Sequence, residues 1–176
     1  MAREMNPGNT NLTVSIRNGH SDDIATIQVL AEKTWWPAYS SILSAEQIRY
    51  MLGAIFGTDT LRNIIKTGSQ HFIVLYENDS PRGFASYSAR PENEEIYKLH
   101  KLYVLPEDQG KGYGRMLVQE IIGRLQARGL HTLELNVNRY NKAKDFYEKQ
   151  GFVVIREEDI PIGPYWMNDY VMRIDF

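Results

Sequence analysis

The amino-acid sequence predicts a single-domain α/β protein with a mixed sheet. Its 176 residues suit one domain and are enough to bury a sizeable core. In several short segments, such as residues 12–16, apolar and polar residues alternate, which is the pattern of strands. Elsewhere apolar residues recur every few positions, as in Leu117, Ile121 and Leu125, which is the pattern of amphipathic helices. Because the two kinds of segment are interspersed, we expect an α/β fold.

The first part of the chain predicts one strand followed by helices. Residues 12–16 form the strand, and Ser21 can cap the helix that follows it. The segment Ser44–Gln47 has the form of a capping box and predicts the start of a second helix. A third, short helix is predicted across residues 61–65. It ends near Gly68, since glycine is favoured just beyond a helix.

The rest of the chain predicts strands that enclose two further helices. Residues 78–81 have turn chemistry, and Gly129 and Gly151 are typical of helix ends. The predicted strands cover residues 71–76, 83–90, 96–105, 133–137, 152–155 and 170–176. The predicted helices run up to Gly129 and over residues 141–150.

Composition excludes several classes of function. The formal net charge is −2, so we expect no nucleic-acid partner. There is no cysteine, which excludes disulfides, a cysteine nucleophile and a thiolate metal site, and we predict no metal. No apolar run approaches the ~20 residues of a membrane-spanning helix. Residues 1–11 are polar and lack the apolar centre of a signal peptide, so we expect a disordered tail, a cytoplasmic protein and no membrane partner.

A glycine-rich loop, Gln109–Gly114, joins a predicted strand to the central helix. Its glycines alternate with other residues, so successive backbone N–H groups can point inward without obstruction by a Cβ. The helix adds the positive end of its dipole, and together they predict a site for a pyrophosphate. The spacing matches neither the Walker A motif nor the dinucleotide-binding fingerprint. The alternative is a glycine-rich turn that only joins a strand to a helix.

Two motifs, Val104–Gly114 and Asn141–Phe152, follow one another along the chain. They match the patterns Val-x-Pro-x-x-Gln-x-x-Gly-x-Gly and Asn-x-Ala-x-x-Phe-Tyr-Glu-Lys-x-Gly-Phe. With them the chain closely resembles the GNAT superfamily of acyl-CoA-dependent N-acyltransferases, over residues 12–176 as one domain. The resemblance implies a single-domain GNAT fold. Its mixed central sheet has about seven strands, is splayed between the fourth and fifth strands, and is flanked by about four helices.

The resemblance also implies that acetyl-CoA (coenzyme A) is the cofactor. The loop amides would hold its pyrophosphate, and the backbone of residues 102–104 would bind the pantetheine arm like an added strand. For the side chains of Leu102 and Val104, core packing is the alternative. The implied cofactor contacts are Leu102, Tyr103, Val104, Gln109, Gly110, Lys111, Gly112, Tyr113, Gly114, Asn138, Asn141 and Lys149.

Tyr147 is the predicted general acid. A phenol is protonated at neutral pH and can give its proton to a thiolate. By resemblance, Tyr147 lies close to the sulfur of coenzyme A. Asn141 lies six residues before it, one fewer than in many family members. A tyrosine packed in the core beside Phe146 is the alternative.

His100 is the predicted general base. Many relatives carry a glutamate on the strand that leads into the loop, and no glutamate occupies the expected face here. By period two, that face carries Lys98, His100, Leu102 and Val104. With an ordinary pKa of about 6.5, a histidine there can accept a proton at neutral pH. The alternatives are a half-exposed histidine with no role, and a base at Glu94 or Glu95.

Aromatic residues after the first helix predict the acceptor site. By resemblance, Trp35, Trp36 and Tyr39 border the acceptor pocket, where their rings can hold an ammonium ion or an apolar side chain. Core packing is the alternative for the two tryptophans. Glu94, in an acidic cluster at residues 92–95, can attract a polycation or lie in a solvated loop.

The resemblance implies an N-acetyltransferase that transfers the acetyl group of acetyl-CoA to a primary amine by direct attack in a ternary complex. The acceptor is expected to be a small, polyamine-like molecule, since the chain is similar to bacterial spermine/spermidine acetyltransferases, or a peptide. Aminoglycosides and amino acids are also open. We expect a monomer or homodimer. The alternatives are a catalytically silent acyl-CoA-binding regulatory or sensor domain, which the missing glutamate favours, and a pyrophosphate-binding domain for another nucleotide.

Overall fold

The computed structural model describes residues 12–176, so the tail predicted at residues 1–11 lies outside the described residues. Two short 3₁₀ turns, Ser21–Asp23 and Pro106–Asp108, precede helices. The described strands are β1 (Val14–Asn18), β2 (His71–Glu77), β3 (Ser80–Arg90), β4 (Asn93–Val104), β5 (Thr132–Asn138), β6 (Val153–Ile162) and β7 (Tyr165–Asp175). The described helices are α1 (Ile24–Tyr39), α2 (Ala45–Phe56), α3 (Thr58–Thr67), α4 (Tyr113–Gln126) and α5 (Ala143–Lys149).

The strands form one mixed sheet in the order β1-β2-β3-β4-β5-β7-β6. Strands β4 and β5 are parallel, and the other neighbouring pairs are antiparallel. A parallel pair needs a crossover, and α4 supplies it between β4 and β5. The predicted α/β class with a seven-stranded mixed sheet is therefore confirmed.

The sheet splits between β4 and β5, as expected. The two strands pair only over Ile96–Leu99 and Thr132–Leu135. Beyond this point β4 continues along β3 to Val104, while β5 continues along β7 to Asn138. In the described part of the chain, the facing backbone edges of β4 and β5 thus have no partner strand at the end that leads into the glycine loop.

A hydrophobic core lies on each face of the sheet. On one face, α4 packs Leu117, Ile121 and Leu125 against buried residues of β5. On the other face, helices α1, α2 and α3 pack against Phe84 and neighbouring strand residues. Tyr147 of α5 belongs to the α4-side core. The split therefore opens between two well-packed layers.

A β-bulge at His100 changes which residues of β4 share a face. Tyr87 pairs with Leu99 and Ser86 pairs with Lys101, so His100 has no partner on β3. Two residues then oppose one, and the alternation shifts by one position. The predicted shared face of Lys98, His100, Leu102 and Val104 is therefore wrong.

After the bulge, Leu102 and Val104 pack on the α4 side of the sheet. Lys98, Lys101 and Tyr103 come to line the same cavity on the opposite side. A simple period-two reading of β4 cannot find this set.

Local signals placed most helix ends correctly. The Ser44 hydroxyl accepts a hydrogen bond from the Gln47 amide at 3.1 Å, and Gly68 ends α3 with φ of +67°. The start of α1 differs, because Ser21 begins a 3₁₀ turn instead of capping the helix directly. There the Asp23 carboxylate accepts from the His20 amide at 2.8 Å.

Strands β6 and β7 are longer than predicted and form a hairpin around Gly163, which has φ of +57°. The missed part of β6 is mostly exposed because it lies at the edge of the sheet. Because its residues are mostly exposed and often charged, the sequence lacks the apolar alternation by which a strand is recognised.

Candidate active site

A cavity of about 340 Å³ opens on the α1–α3 side of the sheet, beside the split. Helices α1, α2 and α3 form one wall, and β4, β5, β6 and β7 form the other. Its aromatic lining residues are Trp35, Tyr39, Phe56 and Tyr103. Its polar and charged lining residues are Thr60, Gln70, Lys98, His100, Lys101, Asn136, Asn138 and Asp169.

Of the aromatic residues predicted at the acceptor site, Trp35 and Tyr39 line the cavity. Their ring centroids are 4.6 Å apart, and Trp35 also lies 6.1 Å from the ring of Tyr103. The indole N–H of Trp35 is buried and interacts with the Tyr103 hydroxyl, although within residues 12–176 it makes no hydrogen bond of regular geometry. Trp36 is not on the cavity wall, and its indole N–H donates to the Glu32 carboxylate at 2.7 Å.

Three tyrosines lie around the split, of which Tyr39 and Tyr147 are buried and Tyr103 is partly buried. Tyr103 and Tyr39 lie on the cavity side, and burial raises the pKa of both phenols. Tyr147 projects from α5 and is buried in the α4-side core. Burial, with a smaller contribution from Tyr39, raises the pKa of Tyr147 well above its usual range. Its phenol therefore keeps its proton at neutral pH, as a general acid must.

His100 lies in a cationic environment. Its Nε2 is 2.7 Å from the Ser88 hydroxyl. Burial, followed by the charges of Lys101, Lys98 and Arg90, lowers the pKa of His100 to about 3. The expected value of about 6.5 therefore does not apply here. The imidazole is neutral at neutral pH, but it is a much weaker base than expected.

Lys101 is a buried cation with one hydrogen bond. The side chain is only 7% exposed, and its Nζ donates to the Gln70 side-chain oxygen at 2.9 Å. Burial, followed by Lys98, lowers the pKa of Lys101 to about 8. Burial and the charge of Arg90 also lower the pKa of Lys98. Among the described residues, neither lysine has a carboxylate within ion-pair distance.

Asp169 of β7 is a site residue that the sequence reasoning missed. It is 5% exposed, lines the cavity, and has a buried Oδ1 without a hydrogen-bond partner in the described part of the chain. Burial raises the pKa of Asp169 to about 6, although Lys98 opposes the shift. A signal was present, because Met167, Asp169 and Val171 share one strand face by period two and a carboxylate is unusual between two core residues.

The glycine loop has the geometry of an anion site. Gly110 and Gly112 have φ of +86° and +85°, which favours glycine at both positions. The amides of Gly110, Gly112 and Gly114 donate to no backbone carbonyl within residues 12–176. They lie at the N-terminus of α4, where the helix dipole favours an anion.

Other loop groups are already occupied. The amides of Gln109 and Lys111 donate to the carbonyls of Pro106 and Asp108, each at 3.3 Å. The Lys111 ammonium lies 2.7 Å from the Asp108 carboxylate, and the Tyr113 hydroxyl donates to Glu77. The side chains of Lys111 and Tyr113 therefore fix the loop from within the protein.

The predicted contacts on β5 and α5 lie beside the split. Asn138 is buried and lines the cavity, while its side-chain oxygen accepts from the Tyr140 amide at 3.0 Å. The Asn141 side-chain oxygen accepts from the Ala143 amide at 2.9 Å and so shapes the start of α5. Lys149 is exposed in the last turn of that helix.

Glu94 is not brought to the cavity. It is exposed near the start of β4, next to the β3–β4 turn. His100 lies six residues further on, about 20 Å along an extended strand. The acidic cluster of residues 92–95 is therefore at the opposite end of β4 from the split, and Glu92 is engaged at 3.6 Å with Arg90.

Among residues 12–176, no group of three or more His, Cys, Asp or Glu side chains is arranged to hold a metal ion. In the same range, no helix is both long and apolar enough to cross a membrane.

Comparison with known proteins agrees with the fold and the motifs. Ribosomal protein bS18-alanine N-acetyltransferase of Haemophilus influenzae is 31% identical over 126 residues, which cover 70% of this chain and 82% of that protein. Spermidine N(1)-acetyltransferase of Thermoplasma acidophilum is 25% identical over 148 residues, which cover 81% of this chain and 90% of that protein.

A solved structure of PaiA N-acetyltransferase from Thermoplasma acidophilum, in complex with coenzyme A, has a TM-score of 0.80 to this chain. The identity is 24%, and the alignment covers 93% of this chain and 99% of that chain. The family model for the acetyltransferase (GNAT) domain matches residues 39–163. The chain therefore belongs to the GNAT acetyltransferase family, whose members take the acetyl group from acetyl-CoA.

Proposed function

We propose that the chain is an N-acetyltransferase that transfers the acetyl group of acetyl-CoA to the primary amine of a small molecule. The observation that carries this proposal is the set of groups around the split between β4 and β5. A protonated phenol, Tyr147, lies on one side of it, and the Asp169 carboxylate, whose Oδ1 has no hydrogen-bond partner among residues 12–176, lines the cavity on the other. Tyr39 interacts electrostatically with both.

The residues present fit coenzyme A. The unpaired amides of Gly110, Gly112 and Gly114 would hold the pyrophosphate, and the free edge of β4 near Leu102 would hold the pantetheine arm. When bound, the cofactor supplies an acetyl thioester. The chain has no cysteine, so a cysteinyl acyl-enzyme cannot form, and the amine attacks directly.

We assign the base to Asp169 instead of His100. An amine arrives mostly protonated, so the site must hold an ammonium ion and remove its proton. Asp169 can do both, because its Oδ1 has no hydrogen-bond partner in the described part of the chain and its pKa of about 6 leaves it ionised at neutral pH. The groups that interact with it are Lys98 of β4, Glu158 of β6, Asn136 of β5, Arg139 and Tyr39.

Tyr147 is the proposed general acid. Burial suppresses ionisation of its phenol, so the proton is present at any physiological pH. Among the described residues its hydroxyl has no hydrogen-bond partner, which leaves the proton available to a departing thiolate. Packing against Phe146 and Phe152 fixes the ring, with centroids 5.2 and 5.7 Å away.

The cavity supports a small acceptor. Its volume of about 340 Å³ lies at the lower end of the usual range of ligand pockets, about 300–1,000 Å³. Lys98 and Lys101 both line it, and their charges oppose the entry of a polyamine. The two relatives act on different acceptors by name, an alanine of a ribosomal protein and spermidine, so they do not choose between acceptor classes.

A thiol-release assay with acetyl-CoA and a panel of amino acids, polyamines, aminoglycosides and short peptides tests the proposal. We expect release that depends on the amine and saturates with it, and an N-acetylated product by mass spectrometry. A protein that binds acetyl-CoA but releases thiol only at the background rate with every amine would instead be the silent sensor domain.

A further inference from the structure

Resting on the proposed function, we infer that the acceptor is a small amine that also carries a carboxylate, such as a free amino acid. The carboxylate binds at Lys101, and the ammonium group binds at Asp169. The two residues line one cavity on opposite elements, β4 and β7, and neither is used by another charged residue of the described chain at ion-pair distance.

The first observation is the state of Lys101. A buried ammonium has three donors, and Lys101 uses one of them, on the neutral oxygen of Gln70. That oxygen is shared, because it also accepts from the Ser86 hydroxyl at 2.8 Å. The rings of Phe56 and Phe72 lie 5.8 and 5.6 Å from the Lys101 Nζ, and this contact offsets only part of the cost of burying the charge. A buried cation without a counter-ion is costly, so a purely packing role favours an apolar residue here.

The second observation is that the nearby groups are also donors. Trp35 has a buried indole N–H that interacts with the Tyr103 hydroxyl, and its ring packs against Phe56, the same ring that Lys101 approaches. Lys98 adds a further ammonium to the same wall. Ligand groups that satisfy only donors must be acceptors, and a carboxylate offers about four acceptor positions. An ammonium ion accepts from none of these donors, and the single oxygen of an alcohol accepts from fewer of them and carries no charge to pair with the lysines.

The third observation is the separation of charge along the cavity. Lys101 lies on β4 next to the rings of Phe56 and Phe72, whereas Asp169 lies on β7, where it pairs with Asn138 of β5. The two charges therefore enter the cavity from different strands. Tyr39 interacts electrostatically with both Asp169 and Tyr147, so the amine of an amino acid bound at Asp169 would face the acetyl donor. Its own carboxylate would then point toward Lys101.

The direct test is calorimetry on the complex with coenzyme A, in which the acceptor can bind but no acetyl group is available. We would use matched pairs that differ by one carboxylate: leucine and 3-methylbutylamine, phenylalanine and 2-phenylethylamine, lysine and cadaverine. At least one amino acid should bind at least tenfold more tightly than its decarboxylated partner. Lys101→Met should remove that advantage and leave the amine's affinity unchanged or higher.

Lys66→Met, at an exposed position on α3, is the matched control and should behave like the wild type. Lys101→Gln is a second variant, which keeps a polar group and should lose the same advantage. The inference is overturned if amines bind as tightly as amino acids in every pair, or if both Lys101 variants keep the full preference.

Thiol release measured on the same pairs separates this inference from the proposed function. Faster acetylation of the decarboxylated amines would contradict the inferred carboxylate site at Lys101 but would still support the proposed acetyltransferase activity. Amino acids that bind through Lys101 but are never acetylated would support the binding site and end the proposed acetyl transfer to them.

Discussion

The cofactor loop and the acceptor cavity meet at one split in the sheet, but they are built differently. The loop is one continuous segment, and its charged side chain, Lys111, is paired with Asp108 and Glu77. The cavity is assembled from distant elements, and within residues 12–176 its Lys101 and Asp169 have no ion-pair partner. Paired charges stabilise the loop itself, whereas unpaired buried charges are costly. The difference indicates that the cavity's charges serve a ligand.

The largest effect is expected for Asp169→Asn, which removes one of the cavity's unpaired charges and nearly preserves the shape of the side chain. We expect kcat/KM to fall by roughly 10²–10⁴-fold, the range for loss of a general base. In the wild type, kcat/KM should rise with pH through a limb near the Asp169 pKa of about 6, and the variant should lack it. Asp175→Asn, exposed on the same strand, is the control for the pH–rate profiles. A variant that keeps both rate and limb would contradict the base assignment.

The same substitution should stabilise the free protein at alkaline pH. Burial raises the pKa of Asp169 from 3.8 to about 6, so the folded state binds the proton more tightly than the unfolded state. Its contribution to stability therefore falls as pH rises from about 4 to about 6. Asn removes this cost, and we expect a gain on the order of 1–3 kcal/mol at pH 8 that vanishes near pH 4. Denaturant melts at both pH values measure it, and a loss of stability at pH 8 would contradict it.

On the other side of the split, Tyr147→Phe removes the proton donor and keeps the ring. We expect kcat to fall about 10²-fold with little change in cofactor affinity. Tyr97→Phe is the control, because Tyr97 is buried in the same core and, among the described residues, its hydroxyl accepts a hydrogen bond from Arg128 alone. If Tyr147→Phe keeps kcat within a few-fold on a good acceptor, Tyr147 has a packing role.

In the loop, the affinity for acetyl-CoA should depend on the backbone conformation and on the absence of a side chain at the glycines. Gly112→Val adds a branched side chain at φ of +85° where the pyrophosphate would approach, and we expect at least a tenfold loss of acetyl-CoA affinity. Gly129→Val is the matched control, because Gly129 has φ of +74° and open space around its Cβ position, but lies outside the loop. Calorimetry would contradict the assignment if both folded variants bound acetyl-CoA equally well.

The same contrast explains what could be predicted from the sequence. The cofactor region is encoded locally, since alternating glycines followed by a helix determine the conformation of the loop without help from distant residues. The seven strands could be located from local apolar patterns, apart from the exposed, charged half of β6 and the first half of β7. Tyr147 could be placed because it belongs to the same kind of continuous motif.

The acceptor cavity could not be predicted in this way. The bulge at His100 breaks the alternation of β4, so Lys101 was not recognised as a cavity residue. Asp169 enters the site from β7, next to β5 in the sheet but far from β4 in the sequence. His100 was assigned an ordinary pKa because the nearby Lys98, Lys101 and Arg90 could not be placed around it.

The smallest effect is expected at His100. With its pKa lowered to about 3, the imidazole is neutral throughout the range in which the enzyme can be assayed, so its removal should leave the pH limb near 6 in place. Loss of the contact with Ser88 should cost a few-fold in kcat/KM through local repacking. pH–rate profiles of His100→Ala and the wild type with one good acceptor decide the matter. If His100→Ala abolishes the limb while Asp169→Asn keeps it, the proton passes to the histidine on β4. In that case the base, like the cofactor loop, would belong to the continuous segment of chain that contains the glycine motif.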